Sequence, residues 1–301
     1  MAFRSVIITK PCKISSDKKS IKIENDEGVF HLPAEDISAL ILENLQCSIS
    51  GHALSLLSQN KSVTFVCNQL HVPVGILQNF QSHSTQLIRI QDQLSVTKPF
   101  KNKIWQKIIK QKIINQSIVL NLNNNNVISN TLVSISDRVT SNDKENAEGY
   151  AASIYFKQLF GADFSRDKDC IYNACLNYGY TILRGFIARS LVSYGFIPSL
   201  GIHHQNQYNN YNLADDFIEP FRPIVDLWVK KNIKETDKFN SAVKHMIADI
   251  VNYDILIQNK KCSVSNGMDI TISSYVSSIK KKDFNELLLP TILPLTLHKY
   301  E

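Results

Sequence analysis

The apolar residues of this 301-residue chain change their period once, near residue 80, and that change limits the fold more than any other feature. Before it they alternate or come in short runs. Val6-Ile7-Ile8, the period-two stretch Ser20-Ile21-Lys22-Ile23-Glu24, Val29-Phe30-His31-Leu32 ending at Pro33, the run from Ile37 to Leu42, and Val63, Phe65 and Val66 are strand patterns. Asn25-Asp26-Glu27-Gly28 supplies turn residues between two of them, which predicts a hairpin. Within this region only 51–59, with Ala53, Leu54, Leu56 and Leu57, reads as a helix. Beyond Pro73 and Gly75 the spacing becomes helical: Leu87, Ile90 and Leu94, then Trp105, Ile108, Ile109 and Ile113, with Pro99 dividing the stretch. Asn123 to Asn126 reads as a loop. Further helices are expected near 127–140, 145–160, 169–194, 213–231 and 241–256, and another closes at Lys280-Lys281-Lys282. Strands followed by helices do not fit alternating βαβ units. The expected fold class is α+β: a small β-rich, β-sandwich-like N-terminal domain over 1–80, a linker at 81–86, and a larger all-α domain over 87–301.

Several classes fall away on composition. No run of eighteen apolar residues is present, so no membrane span is expected. Met1 to Lys13 lacks the apolar stretch of a secretory signal. The six cysteines form no C-x-x-C pair and read as reduced thiols of a cytoplasmic protein. The net charge of +6 is uneven: residues 1–85 hold seven basic and seven acidic side chains. Residues 86–122 hold Arg89, Lys98, Lys101, Lys103, Lys107, Lys110 and Lys112 against Asp92 alone. A basic stripe of this kind is the footprint of a phosphate-backbone binder, or simply a solvated lysine face.

The stretch that carries chemistry is Gly201-Ile202-His203-His204, followed by Leu213-Ala214-Asp215-Asp216-Phe217-Ile218-Glu219-Pro220-Phe221-Arg222-Pro223. On one helix, Asp216 and Glu219 would share a face, with Arg222 three residues on. Two carboxylates and a loop histidine suit a divalent ion; oxygen donors fit Mg²⁺ or Mn²⁺, and imidazole tilts the choice toward Mn²⁺. An intrahelical ion pair with Arg222 accounts for the same spacing. A third carboxylate, Glu148, opens an apolar helix in Asn146-Ala147-Glu148-Gly149-Tyr150, where a plain first-turn acid is the alternative.

Three blocks together resemble the CRISPR-associated spacer-acquisition integrase/endonuclease family. They are Ala147-Glu148-Gly149; Asn173-Ala174-Cys175-Leu176-Asn177-Tyr178-Gly179-Tyr180 running into Gly195-Phe196-Ile197-Pro198 and Gly201-Ile202-His203-His204; and Leu213 to Glu219 with Phe221-Arg222-Pro223. The wording of the third block looks most like the type II variety. The resemblance implies that Glu148, His204 and Glu219 are catalytic metal ligands for Mg²⁺ or Mn²⁺, with Asp216 as a further candidate. Glu219 stands where the family often has aspartate.

The resemblance also implies CRISPR adaptation, an antiviral defence. The 3′-hydroxyl of a captured DNA fragment attacks a phosphodiester of the CRISPR repeat by metal-dependent transesterification. Implied partners are double-stranded DNA (prespacer and repeat), a second copy in a homodimer through the N-terminal domain, and a small ferredoxin-like adaptation protein in a heterohexamer-type complex. Type II effector and accessory proteins are further candidates. Arg89, Lys103, Lys107, Lys110, Arg138, Arg166, Arg184 and Arg189 are candidate DNA contacts. Two other readings stand beside this one: a metal-dependent nuclease acting on branched DNA, and a catalytically silent DNA-binding scaffold.

Overall fold

The computed structural model describes residues 4–69, 73–77 and 86–299. The chain divides into two compact units, Met1–Ser84 and Thr85–Glu301. Apart from Gln86, the expected linker at 81–86 lies outside the described residues.

The first unit holds β1 (Arg4–Ile8), β2 (Cys12–Asp17), β3 (Ser20–Asn25), β4 (Gly28–Pro33), β5 (Ile37–Leu42), β6 (Cys47–Ile49), α1 (Gly51–Gln59), β7 (Val63–Cys67) and β8 (Pro73–Leu77). They form two four-stranded sheets, ordered β1-β5-β7-β8 and β4-β3-β2-β6. β1, β5 and β7 run parallel, and β8 closes that sheet antiparallel to β7. Ile8, Ile37, Leu40 and Leu42 from one sheet meet Ile14, Ile21 and Ile23 from the other in one core that also takes in Ala53 and Leu57 of α1. β5 is buried at every residue, as a central strand covered on both faces must be. β2, with its Lys-Ile-Ser-Ser core, was not legible as a strand because only Ile14 is buried.

The second unit holds α2 (Gln86–Ser95), α3 (Lys98–Asn121), α4 (Asn126–Asp137), α5 (Ala147–Phe160), α6 (Ile171–Ser193), α7 (Asn212–Ile218), α8 (Arg222–Asn232), α9 (Ser241–Ala248), β9 (Tyr253–Ile257), β10 (Lys260–Ser263), α10 (Val264–Lys281) and β11 (Thr291–Leu297). The α+β layout holds, but the second unit is not all helix: β10-β9-β11 form an antiparallel sheet. The helix expected through 256 ends at Ala248, and Tyr253 turns into a hairpin instead. Gln258 and Asn259 both adopt positive φ there, the pattern of a two-residue hairpin turn, without the glycine that usually announces it. No described helix is long and apolar enough to cross a membrane.

α3 runs through the middle of this unit, burying Ile104, Trp105, Ile108, Ile109, Ile113, Val119 and Leu120. Its Asn115 amide donates to the carbonyls of Pro220 and Pro290, tying the α7–α8 turn and the start of β11 to one side chain. α2 reverses the expected face. Leu87 and Leu94 are exposed, while Arg89 and Gln93 are buried. The reason is local: Arg89 donates to the carbonyl of Tyr194, and Gln93 to those of Ile197 and Leu200. These carbonyls follow the end of α6, where helical partners run out.

α6, α8 and α9 meet at Gly179. A Cβ there would lie 2.5 Å from Val225 Cγ1 and 3.2 Å from Ile247 Cγ2, both on branched side chains with little freedom to yield. Overpacking a core costs about 1–3 kcal/mol, against about 1 kcal/mol gained from alanine's helix propensity. Gly179→Ala is therefore expected to lower the urea midpoint of unfolding without changing its slope, and an unchanged midpoint would show that α8 gives way freely.

Candidate functional site

The site residues stand on three parts of the second unit, each held by local chemistry. Glu148 lies in the first turn of α5. Asp143 accepts from the amides of Ala147 and Glu148, and Asn146, itself at positive φ, accepts from that of Gly149. Two caps thus satisfy the free amides of the helix start and fix Glu148. Gly149 is needed for this, since a Cβ would meet the Asn146 side chain at 2.7 Å.

His204 sits on the loop after α6. Asp216, fully buried on α7, holds that loop with both oxygens: Oδ2 accepts from the amides of Ile202 and His203, and Oδ1 from the amide of His204 at 3.1 Å and its ring Nδ1 at 2.7 Å. With Nδ1 engaged, Nε2 is the ring nitrogen left for a ligand. The hydrogen bond to Asp216 raises the His204 pKa, outweighing burial. Gly201 permits this fold of the loop, because a Cβ would fall 2.1 Å from the His204 carbonyl and 3.1 Å from Asp216 Oδ2. His203 stacks flat on Trp105 at 4.2 Å between ring centroids, and its burial lowers its pKa.

Glu219 does not lie on a continuous 213–231 helix. A 3-10 turn, Glu219–Phe221, separates α7 from α8, with Pro220 and Pro223 at the two helix starts. Asp216 contacts the 202–204 loop, and Glu219 contacts Lys112 of α3. Glu219 Oε2 lies 2.5 Å from Lys112 Nζ, and the same ammonium lies 2.5 Å from Glu148 Oε1. Arg222 Nε lies 3.0 Å from Glu219 Oε1. Burial opposes the charge on Lys112, but Glu219 and Glu148 outweigh it and raise its pKa. Burial likewise opposes the Glu219 carboxylate, and Arg222 and Lys112 overcome it, so its pKa is lowered.

The structure therefore brings Glu148 and Glu219 to one cation, a lysine. Among the described residues no three His, Cys, Asp or Glu side chains stand close enough to hold a metal ion as they lie. The donor chemistry nevertheless fits one: two carboxylates within reach of a single charge, and a histidine whose free nitrogen is set by a carboxylate. Asp216 is committed to the loop and fits the part of positioning residue better than that of ligand. Sequence reasoning counted Lys112 only as one charge of the basic stripe. It falls on the spacing of Trp105 and Ile108, one turn further along the buried face, and an interior lysine needs a counter-charge.

The basic segment is not one surface stripe. Arg89 is buried against the carbonyl of Tyr194 and paired with Asp92, so it is turned away from any backbone phosphate outside. Lys107 reaches the carbonyls of Phe284 and Asn285. Lys103 and Lys110 are exposed on α3, the latter paired with Asp137, and Arg138 is exposed after α4. Arg189 lies near Asp269 at 3.6 Å. Arg166, Arg184 and Arg222 instead line one open cleft with Asn177, Tyr180, Thr181 and Asp215. Arg166 is held by Asn173 and Asn177, Arg184 by Asn209 and Asp215, and Arg222 lies over the Tyr180 ring at 4.7 Å. Behind them the hydroxyls of Tyr155 and Tyr180 donate to buried Asp226, whose pKa burial raises to about 6.

Replacing Asp216 by asparagine removes the charge that favours imidazolium and one of the acceptor oxygens under the loop. The His204 ring in Asp216→Asn is expected to titrate below its wild-type value when followed by NMR. In the wild type the pair's contribution is present below the ordinary imidazole value and fades as pH rises through the raised one. The variant should lack that fading, and about 1–3 kcal/mol of stability with it from unsatisfied amides; an unmoved titration would remove Asp216 as the group that orients the ring.

A family model for "CRISPR associated protein Cas1" matches residues 6–246. The chain is 34% identical over 304 aligned residues to the CRISPR-associated endonuclease Cas1 of Neisseria meningitidis serogroup C (strain 8013), covering all of both chains. Among solved structures, a casposase bound to integration product shares the fold at TM-score 0.75 and 18% identity, over 94% of this chain and 93% of that one. A chain of a Cas6-RT-Cas1--Cas2 complex matches at TM-score 0.74 and 18% identity, over 97% of this chain and 36% of that longer one. The chain belongs to the Cas1 family of CRISPR-associated proteins.

Proposed function

We propose that this protein is a metal-dependent DNA integrase and endonuclease of CRISPR adaptation, which joins the 3′-hydroxyl ends of captured DNA to the CRISPR repeat by transesterification. The observation that carries the reading is the convergence of Glu148 and Glu219 on one cation, beside a histidine oriented by a buried carboxylate. The full-length relative in Neisseria meningitidis, named as an endonuclease, supports a nucleolytic chemistry at this place. Glu148, His204 through Nε2, and Glu219 would hold Mg²⁺ or Mn²⁺. When bound, such an ion supplies Lewis acidity toward a phosphodiester and lowers the pKa of an attacking hydroxyl.

The remaining work belongs to the protein's own side chains. Asp216 keeps His204 in one tautomer and one orientation. Arg222 fixes Glu219 and is itself fixed over Tyr180. The cleft lined by Arg166, Arg184 and Arg222, the last of which also pairs with Glu219, offers guanidinium groups to backbone phosphates, with Asn177 and Thr181 as neutral polar groups. Lys103, Lys110 and Arg138 extend positive charge along the exposed sides of α3 and α4. In this reading the first unit, neutral in net charge, serves self-association rather than DNA binding. A small Cas partner completes the assembly that presents two sites to the two ends of a fragment.

Two measurements test this. Glu148→Ala and His204→Ala are each expected to reduce incorporation of a labelled fragment into a repeat-containing plasmid to background while DNA affinity is retained. Activity unchanged by Glu148→Ala would favour the silent scaffold, and strand cutting without incorporation, with the Cas partner present, would favour the branched-DNA nuclease. Arg184→Ala is expected to lower the slope of log affinity against log salt by about 1, the loss of one phosphate contact. An unchanged slope would remove the cleft from the DNA path.

A further inference from the structure

We propose that Lys112 is a built-in counter-cation of the metal centre: its ammonium holds Glu148 and Glu219 together when no divalent ion is bound, and it must leave for one to bind. This rests on the metal-binding reading above.

Lys112 lies on the buried face of α3, after Trp105 and Ile108 and before the buried polar side chains Asn115 and Gln116. Its side chain is 9% exposed, and Glu219 is 6% exposed. Both carboxylates reach the same Nζ at 2.5 Å, although Glu148 comes from α5 and Glu219 from the turn beyond α7. No covalent or helical constraint brings those two acids together. Left without a cation, two carboxylates brought this close repel each other, the more so because Glu219 is buried, although Glu148 is 30% exposed. The ammonium between them offsets that repulsion.

Charge counting then sets the relation to a divalent ion. Glu148 and Glu219 carry two negative charges, already matched by Lys112 and Arg222. An added divalent ion would raise the positive charge against these two acids from two to four, and with Asp215 and Asp226 already shared with Arg222 this disfavours keeping both resident cations in place. Arg222 is pinned, its guanidinium over the Tyr180 ring and its Nε on Glu219. Lys112 carries a compact charge on a flexible four-carbon stem, and no other acid pairs with it among the described contacts. Lysine is therefore the cation that yields. The consequence is a centre that stays ordered without metal and binds metal more weakly than its donors alone would.

The test is calorimetric titration of Mn²⁺ into the DNA-free full-length protein, wild type against Lys112→Met, whose side chain has similar length and no charge. The variant is expected to bind Mn²⁺ at least tenfold more tightly and to melt lower without the ion. Its melting temperature should rise more than that of the wild type on saturation. Lys112→Arg, which keeps the charge, should not gain affinity. Equal dissociation constants for wild type and Lys112→Met overturn the proposal. Failure of both to bind Mn²⁺ removes the metal centre itself, and the proposal with it. Where Lys112→Met does not fold without metal, wild-type crystals soaked in Mn²⁺ decide: Nζ is expected out of hydrogen-bond reach of at least one glutamate, and an ammonium still bridging both beside bound ion overturns the proposal.

Discussion

Two glutamates from separate helical segments share one buried ammonium, and the second unit is organised around that contact. Lys112 can occupy the interior only because Glu148 and Glu219 reach it, and those acids can approach each other only because a cation lies between them. The elements that deliver them are fixed by ordinary means. Asp143 and Asn146 cap α5, and Glu219 opens the proline-marked 3-10 turn that follows α7. Asn115 ties the same turn to α3 from below. Each device is local, and together they place charge where hydrophobic packing alone would exclude it.

The acids of the site divide their labour by environment. Asp216 is surrounded by donors from the loop it holds, which uses its lone pairs and makes it a scaffold for His204. Glu219, three residues on, faces cations instead. The layer behind, in which Tyr155 and Tyr180 donate to Asp226, gives the Tyr180 ring a fixed position from which Arg166 and Arg222 are held. Rigidity thus passes from a buried carboxylate to a ring, to a guanidinium, to Glu219.

Legibility in the sequence followed the strength of the local signal. The hairpin at 20–33 was readable from its period-two alternation, β5 from its continuous apolar run, and α1, α3 and α6 from apolar residues at three- and four-residue spacing. β2 escaped because one buried isoleucine among polar residues makes no period. The 253–263 hairpin escaped because its turn uses Gln258 and Asn259 rather than glycine. The apolar face of α2 was readable too, yet it points outward. Hydrogen bonds from Arg89 and Gln93 to the carbonyls after α6 decide its orientation, and such bonds leave no period in the chain.

For the site, residue types and spacing singled out Asp216 and Glu219 with a loop histidine, and the resemblance of the three blocks named Glu148, His204 and Glu219 as the ligand candidates. The sequence by itself determined the change from strands to helices near residue 80, the segregation of positive charge after residue 85, and the family. Only the tertiary structure decided which acid orients the histidine, which acids meet, and that Lys112 lies between them. Those relations join positions from 12 to 107 residues apart, and no local propensity sets contacts over such separations. Burial and electrostatics settle them, since a charge leaves water only where another, placed by the whole fold, receives it.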